Sequence, residues 1–183
     1  MSSGRRVRIS KLVSRVLRHE PGLAGVSLDE AGWTRVDDLL TGLRRLGVEL
    51  SRADLEEVIT GGGKQRFELS PDRSRIRARY GHSVTVDAGY PPADPPPVLY
   101  HGTPARNLAA IRAGGISPMA RQLVHLHEEV SAARSVGARR GRAIVLVVDA
   151  AGMAAEGAVF HRLPDGIWLT GEVPAQRILG VFE

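Results

Sequence analysis

The chain has no cysteine among its 183 residues. That absence excludes disulfides, thiolate-held metals and a cysteine nucleophile together. Lysine is nearly missing too: it occurs only at Lys11 and Lys64, so 23 of the 25 basic residues are arginine. No apolar run is long enough to span a membrane, and the first nine residues carry no signal-peptide pattern, which points to the cytoplasm. No G-x-G-x-x-G follows a strand-like run, and no Walker A loop exists. Gly61-Gly62-Gly63-Lys64 lacks the strand before it and the helix after it, and reads as a helix terminator. What remains is a chain with 43% hydrophobic residues, enough for one large domain or two small ones. Its net charge of +5 and its basic isoelectric point suit an anionic partner. Residues 1–90 hold 16 basic and 12 acidic residues, and residues 91–183 hold 9 and 8, so the N-terminal half is the more anion-facing.

Periodicity orders the first half. Leu12, Val13, Val16 and Leu17 form one helical stripe in a helix opening at Ser10 and stopped by Pro21. Val26 to Leu28 is a short strand candidate, and Asp29-Glu30-Ala31-Gly32 reads as a turn. Asp37 is placed to cap a helix carrying Leu39, Leu40, Leu43 and Leu46. Ser51 caps a third, with Asp54 in its first turn. Lys64 to Leu69 and Arg75 to Arg79 then read as a hairpin. Three helices followed by a hairpin is the element order of a winged helix. By parity Arg75, Arg77 and Arg79 share one face of the second strand, while Ile76 and Ala78 share the other. That row of guanidiniums suits nucleic acid, or equally a solvated edge strand that uses charge to avoid aggregation.

Ala88 to Pro97 contains five prolines and reads as an extended linker. It divides an N-terminal lobe, residues 1–87, from a C-terminal lobe, residues 98–183. The second lobe is richer in strands: Val98 to Tyr100, Val124 to His127, the unbroken run Ala143 to Val148, Val159-Phe160, Ile167 to Leu169 and Ile178 to Phe182. The expected class is α+β.

Few side chains point to chemistry alone. Arg18 and His19 close the first helix; a forked guanidinium beside an imidazole suits a phosphate, and simple C-terminal capping is the plainer alternative. Tyr100-His101-Gly102-Thr103 ends a strand with groups able to hydrogen-bond a ribose, or with an ordinary strand-to-helix turn. His125-x-His127 places two imidazoles on one strand face, but no third ligand has compelling spacing, so no metal is expected. Arg66 has Glu68 on its own strand face as an ordinary ion-pair partner.

Taken in order, one set of segments resembles the NAD-dependent RNA 2′-phosphotransferases. It runs through Ser10-Lys11-Leu12, Leu17-Arg18-His19, Leu28 to Trp33, Lys64-Gln65-Arg66-Phe67, Ile76-Arg77-Ala78 and Gly81-His82-Ser83. It continues through Leu99 to Thr103, Arg121 to Leu126, Val136 to Arg139 and Ile167 to Thr170. The match covers roughly Ser10 to the C-terminus. Arg79-Tyr80 stands where the family usually has Asn-Gln.

The resemblance implies a winged-helix lobe joined to an ADP-ribosyltransferase-like mixed β lobe. It also implies removal of an internal RNA 2′-phosphate, as at a tRNA splice junction, by transfer to NAD. On that resemblance Arg18, His19, Arg66 and Arg121 handle the phosphate. His101, Gly102, Thr103 and His125 hold NAD. Arg75, Arg77, Arg79, His82 and Ser83 meet RNA. No metal is implied. ADP-ribosyl-transferring enzymes that modify proteins usually carry a late glutamate; Glu172 is the only acid near that place and is not assigned to the role.

Overall fold

A computed structural model of the chain describes residues 1–61, 65–87 and 89–183. The chain forms two compact units, Met1–Gly89 and Tyr90–Glu183. Both mix helices with antiparallel sheet, so the class is α+β. Gly62, Gly63 and Lys64, in the expected helix terminator and strand start, and Ala88, at the expected start of the linker, lie outside the described residues. No helix among the described residues is long and apolar enough to cross a membrane.

In the first unit, helix α1 spans Ser3–Arg18 and so begins two turns before Ser10. The Ser2 hydroxyl caps it by accepting from the Arg5 amide at 3.4 Å. Its buried stripe is Ile9, Val13, Val16 and Leu17, at i, i+4, i+7 and i+8. The first two turns carry Arg5, Arg6 and Arg8 and little apolar surface, which is why periodicity set the start too late. The Val26 to Leu28 segment joins no sheet; Val26 is buried and its amide bonds the Pro21 carbonyl.

Strand β1 is only Thr34–Arg35, and helix α2 is Val36–Arg45. Arg35, not Asp37, occupies its cap position; Asp37 lies in the first turn and accepts from Arg52 at 2.7 Å. Helix α3, Arg52–Thr60, has the expected start: the Ser51 hydroxyl accepts from the Asp54 amide, and the Asp54 carboxylate accepts from the Ser51 amide. Strands β2, Phe67–Leu69, and β3, Arg75–Ala78, complete a sheet of order β1-β3-β2. Strand β3 is therefore central, and the solvated-edge account of its arginines does not hold. Its parity does: Ile76 and Ala78 are fully buried against Phe67, Leu17 and Leu43 in one apolar core.

The second unit is built on a six-stranded antiparallel sheet of order β7-β8-β5-β4-β6-β9. Its strands are β4 (Val98–Pro104), β5 (Val124–His127), β6 (Ala143–Asp149), β7 (Phe160–Arg162), β8 (Ile167–Thr170) and β9 (Ile178–Phe182). One face carries Leu99, Leu126, Ile144, Leu146, Val148 and Trp168 into a core shared with Ile111 of helix α4 (Leu108–Gly114) and Met153 of helix α6 (Ala150–Ala155). Helix α5, Val130–Gly137, packs on β4 at Gly102, where a Cβ would fall 1.6 Å from the Ala133 carbonyl oxygen. Only a residue without a side chain fits between that helix and the strand. Buried Ile144, Val145 and Leu146 in succession show β6 covered on both faces. The proline-rich segment is tied down at its start. Pro92 bridges to His161, the Ala93 amide bonds the Phe160 carbonyl, and the His161 Nδ1 lies 2.7 Å from the Tyr90 carbonyl.

Candidate functional site

α1 ends where the chain needs it to. His19 takes the cap position, and its amide still bonds the Arg15 carbonyl. Arg15 turns instead to Glu20 through two bonds of 3.0 and 2.6 Å, which hold the Glu20 carboxyl below its usual range. The carbonyl of Arg18 is satisfied from elsewhere: the Ser83 amide donates to it at 2.9 Å and the Val84 amide at 3.3 Å. Thus the helix end is closed by the 83–84 backbone, not by the side chains of Arg18 and His19.

Those side chains face a cavity of about 650 Å³ on the first unit, which Arg66 also lines. Lys11 and Arg15 border it further along α1, together with Ser10 and Ser14. No carboxylate lines it among the described residues. Arg66 precedes β2, and buried Phe67 beside it turns the guanidinium outward by strand parity. Glu68 does not neutralise Arg66, because it pairs with Arg77 at 3.0 Å. A half-buried guanidinium with no acid beside it among the described residues, in a cavity lined by further cations, suits an anion.

The Gly81-His82-Ser83 segment packs on the same helix end. Gly81 has φ +82, and a Cβ there would sit 3.6 Å from Arg18 Nη1. Tyr80 lies with its ring 5.0 Å from the Arg18 guanidinium carbon. Ser83 Oγ lies 2.9 Å from His19 Nδ1. His82 is buried at 4% exposure, and burial pushes its imidazole down to about 4, with Arg18, His19 and Arg77 adding repulsion. It is a neutral, covered side chain, and its Nε2 meets no hydrogen-bond partner among the described residues.

Arg75 and Arg77 of β3, and Arg79 just after it, are engaged within the unit. Arg75 pairs with Asp29 at 3.1 Å. Arg77 pairs with Glu68, donates to the Ala31 carbonyl and stacks 4.6 Å over Trp33. Arg79 donates to the Gln65 side chain at 2.8 Å.

In the second unit the expected cofactor residues sit where two strands part. β4 and β5 pair at one position, Tyr100 with His127, although β4 pairs with β6 along seven. Beyond that pair the His101 side chain takes up the slack: its Nδ1–H donates to the His125 carbonyl at 3.0 Å. Burial pushes the His101 imidazole down, and the nearby Arg121 guanidinium pushes the same way. Neutral, with Nδ1 donating, it presents Nε2 as an acceptor. Arg121 itself is exposed at the approach to β5, in a turn closed by its own amide on the Pro118 carbonyl.

Gly102 and Thr103 are explained by packing. Gly102 makes room for α5, and the buried Thr103 hydroxyl accepts from the Asn107 amide group at 2.9 Å. His125 Nδ1 lies 3.1 Å from the Leu123 carbonyl, which fixes its ring. No cluster of three or more His, Asp or Glu side chains suited to a metal occurs among the described residues.

The structure thus brings Arg18, His19 and Arg66 to one cavity in the first unit, and His101, His125 and Arg121 to one neighbourhood in the second. Sequence reading missed Lys11, Ser10, Ser14 and Tyr80. The first three were legible in principle: Ser10, Ser14 and Arg18 recur every fourth residue, and Lys11 and Arg15 flank them.

A family model described as RNA 2′-phosphotransferase, Tpt1 / KptA family, matches residues 4–172. A curated relative from Streptomyces coelicolor, "Probable RNA 2′-phosphotransferase", is 47% identical over 178 residues, which cover 97% of each chain. Relatives of the same name come from Streptomyces griseus, 45% identical over 98% of each chain, and from Burkholderia lata, 47% identical over 92% of this chain and 88% of that one.

Proposed function

Because this chain belongs to the RNA 2′-phosphotransferase, Tpt1 / KptA family, we propose that it removes an internal 2′-phosphate from RNA by transferring it to NAD. The observation that carries the reading is the cavity shared by Arg18, His19 and Arg66, which no carboxylate lines among the described residues. On this reading the first unit is a winged-helix lobe and the second an ADP-ribosyltransferase-like lobe. The natural substrate is an RNA such as a tRNA bearing a splice-junction 2′-phosphate, met in the cytoplasm.

The chemistry suits these groups. A phosphate monoester is mostly dianionic at neutral pH, with a second pKa of about 6, so it attacks C1 of the nicotinamide ribose without a general base. Nicotinamide departs with the pair of electrons from the glycosidic bond. Permanently charged forks on Arg18, Arg66 and Arg121 orient the phosphate for that attack. The ribose 2-hydroxyl then attacks phosphorus, and the RNA 2′-oxygen leaves and takes up the proton that the hydroxyl loses. The products are RNA with a free 2′-hydroxyl and ADP-ribose 1″,2″-cyclic phosphate. Charge that builds on the phosphoryl oxygens meets the same guanidiniums. His19 suits the proton transfer, since an unperturbed imidazole titrates at about 6.5.

NAD fits the parted strands of the second unit. Separation of β4 from β5 leaves backbone polar groups of residues 101–103 and 123–125 outside the ladder they would otherwise share. Neutral His101 offers an acceptor there, suited to a ribose hydroxyl. Gly102 and Thr103 contribute through their backbone, because the Gly102 α-carbon is pressed by α5 and the Thr103 hydroxyl is engaged by Asn107.

A catalytically silent nucleic-acid-binding module is the weaker reading. Arg75 and Arg77, its main support, already face carboxylates. One incubation tests the reading: NAD plus an oligoribonucleotide bearing a single internal 2′-phosphate, followed by mass analysis. Loss of that phosphate with release of nicotinamide is expected. The Arg121→Ala variant is expected to stall at ADP-ribosylated RNA or earlier, with a rate lower by about 10²–10³. Unchanged substrate with the wild-type chain would overturn the proposal, and wild-type turnover by the variant would remove Arg121 from it.

A further inference from the structure

We propose that Ser83 is a positioning residue for His19, holding its imidazole in the Nδ1–H tautomer so that the Nε2 lone pair lies on the opposite edge of the ring. The proposal rests on the function read above for the meaning of His19, but not for the contact itself. Ser83 Oγ lies 2.9 Å from His19 Nδ1. The direction of that bond follows from the other partner of the hydroxyl. The Arg18 carbonyl oxygen is 3.5 Å from Ser83 Oγ, at the outer limit for a hydrogen bond, and a carbonyl only accepts. With its hydrogen turned to that carbonyl, the hydroxyl offers an oxygen lone pair to Nδ1–H.

Both residues are exposed, so water competes for the bond. The backbone offsets that competition. The Ser83 amide donates to the same Arg18 carbonyl at 2.9 Å, which fixes the serine before its side chain acts. Little further freedom is lost when the hydroxyl meets the imidazole. Tyr80, in the same segment, braces the Arg18 guanidinium, whose carbon lies 5.0 Å from the ring centroid. One loop, 64 residues away in sequence, therefore sets both the imidazole and the guanidinium that end α1.

The consequence is chemical. With Nδ1 protonated, Nε2 takes a proton when neutral and gives one when charged, as a single group shuttling between two oxygens must. The opposite tautomer puts its lone pair on the edge that faces Ser83.

The tautomer is read directly by nitrogen-15 NMR of the wild-type chain and of Ser83→Ala, without substrate. The wild type is expected to show His19 protonated on Nδ1, and the variant to shift toward the Nε2–H form. Turnover on 2′-phosphorylated RNA is expected to fall about tenfold in kcat, the size of one neutral hydrogen bond. Ser83→Thr, which keeps the hydroxyl, is expected to restore both readouts. A wild-type His19 protonated on Nε2, or a tautomer unmoved by Ser83→Ala, would overturn the proposal. If the tautomer behaves as expected and wild type ignores the RNA, the proposed reaction falls and the Ser83 assignment stands.

Discussion

His82 shows how one side chain gives a unit its pH dependence. Its imidazole is 4% exposed and titrates near 4, chiefly because burial disfavours the charged form. Unfolding returns it to water, where it titrates at about 6.5. Between those values the unfolded chain binds the extra proton, so stability falls as pH falls. The contribution is fully present above about pH 6.5 and has been lost by about pH 4, roughly 3 kcal/mol at most. Urea unfolding in a Trp168→Phe background, where Trp33 reports on the first unit, is expected to show that decline. His82→Gln is expected to flatten it over this window. A wild-type midpoint that is level from pH 7 to pH 4.5 would mean that His82 is not buried as a neutral group. The residue was expected to meet RNA phosphates, yet its cover and its neutrality make it a structural partner of the Arg18 helix end.

At the scale of elements, β3 corrects the reading of its own parity. Alternation showed which residues share a face, and Ile76 and Ala78 are buried as expected. Alternation does not show what lies beside a strand, and β1, two residues long, is too short to leave a periodic signal. With β1 on one side and β2 on the other, Arg75 pairs with Asp29 at the surface and Arg77 with Glu68 under partial cover. Arg77 is the structural member: its side chain is 13% exposed, ion-paired and stacked on Trp33. Arg77→Ala is expected to destabilise the first unit by about 2 kcal/mol, from the lost stacking and the half-buried Glu68 left without its partner. Arg75→Ala, at a more exposed pair, is expected to cost under about 1 kcal/mol. Neither is expected to lower the salt slope of RNA binding by the full unit that a phosphate-contacting cation contributes. Equal thermal shifts in the two variants, or a slope reduced by about one in either, would contradict this division of roles.

The same contrast runs through the other elements. The Ser51–Asp54 capping box was legible because all its partners lie within four residues. The buried strand β6 was legible from an unbroken apolar run. The parting of β4 from β5 was not, since hydrophobic pattern records burial and carries no statement of which ladder bonds are left unmade. Nor was the Ser83–His19 contact, whose partners are 64 residues apart. Sequence order named the segment around His82 and Ser83 as functional. The contacts give Ser83 a different task within it.

For the molecule as a whole, the informative fact is that each unit carries its own apolar core. One cluster draws its buried residues from Ile9 to Ala78, the other from Leu99 to Val173. Each unit has about 90 residues, a size at which many domains fold alone. The polypeptides 1–89 and 90–183, made separately, are therefore each expected to unfold cooperatively in urea. The residues proposed for function are divided between the two units. Arg18, His19 and Arg66 belong to the first unit, and His101, His125 and Arg121 to the second. The first unit carries most of the net positive charge and the cavity lined by Arg18, His19 and Arg66, so alone it is expected to retain RNA binding with a marked salt slope. The second, with the parted strands, is expected to retain whatever affinity the chain has for NAD. Neither is expected to release nicotinamide in the presence of 2′-phosphorylated RNA, because each lacks residues proposed for the reaction. Nicotinamide release by either polypeptide alone would show that the reaction does not need the residues assigned to the other. A disordered isolated unit would show that its core depends on the rest of the chain.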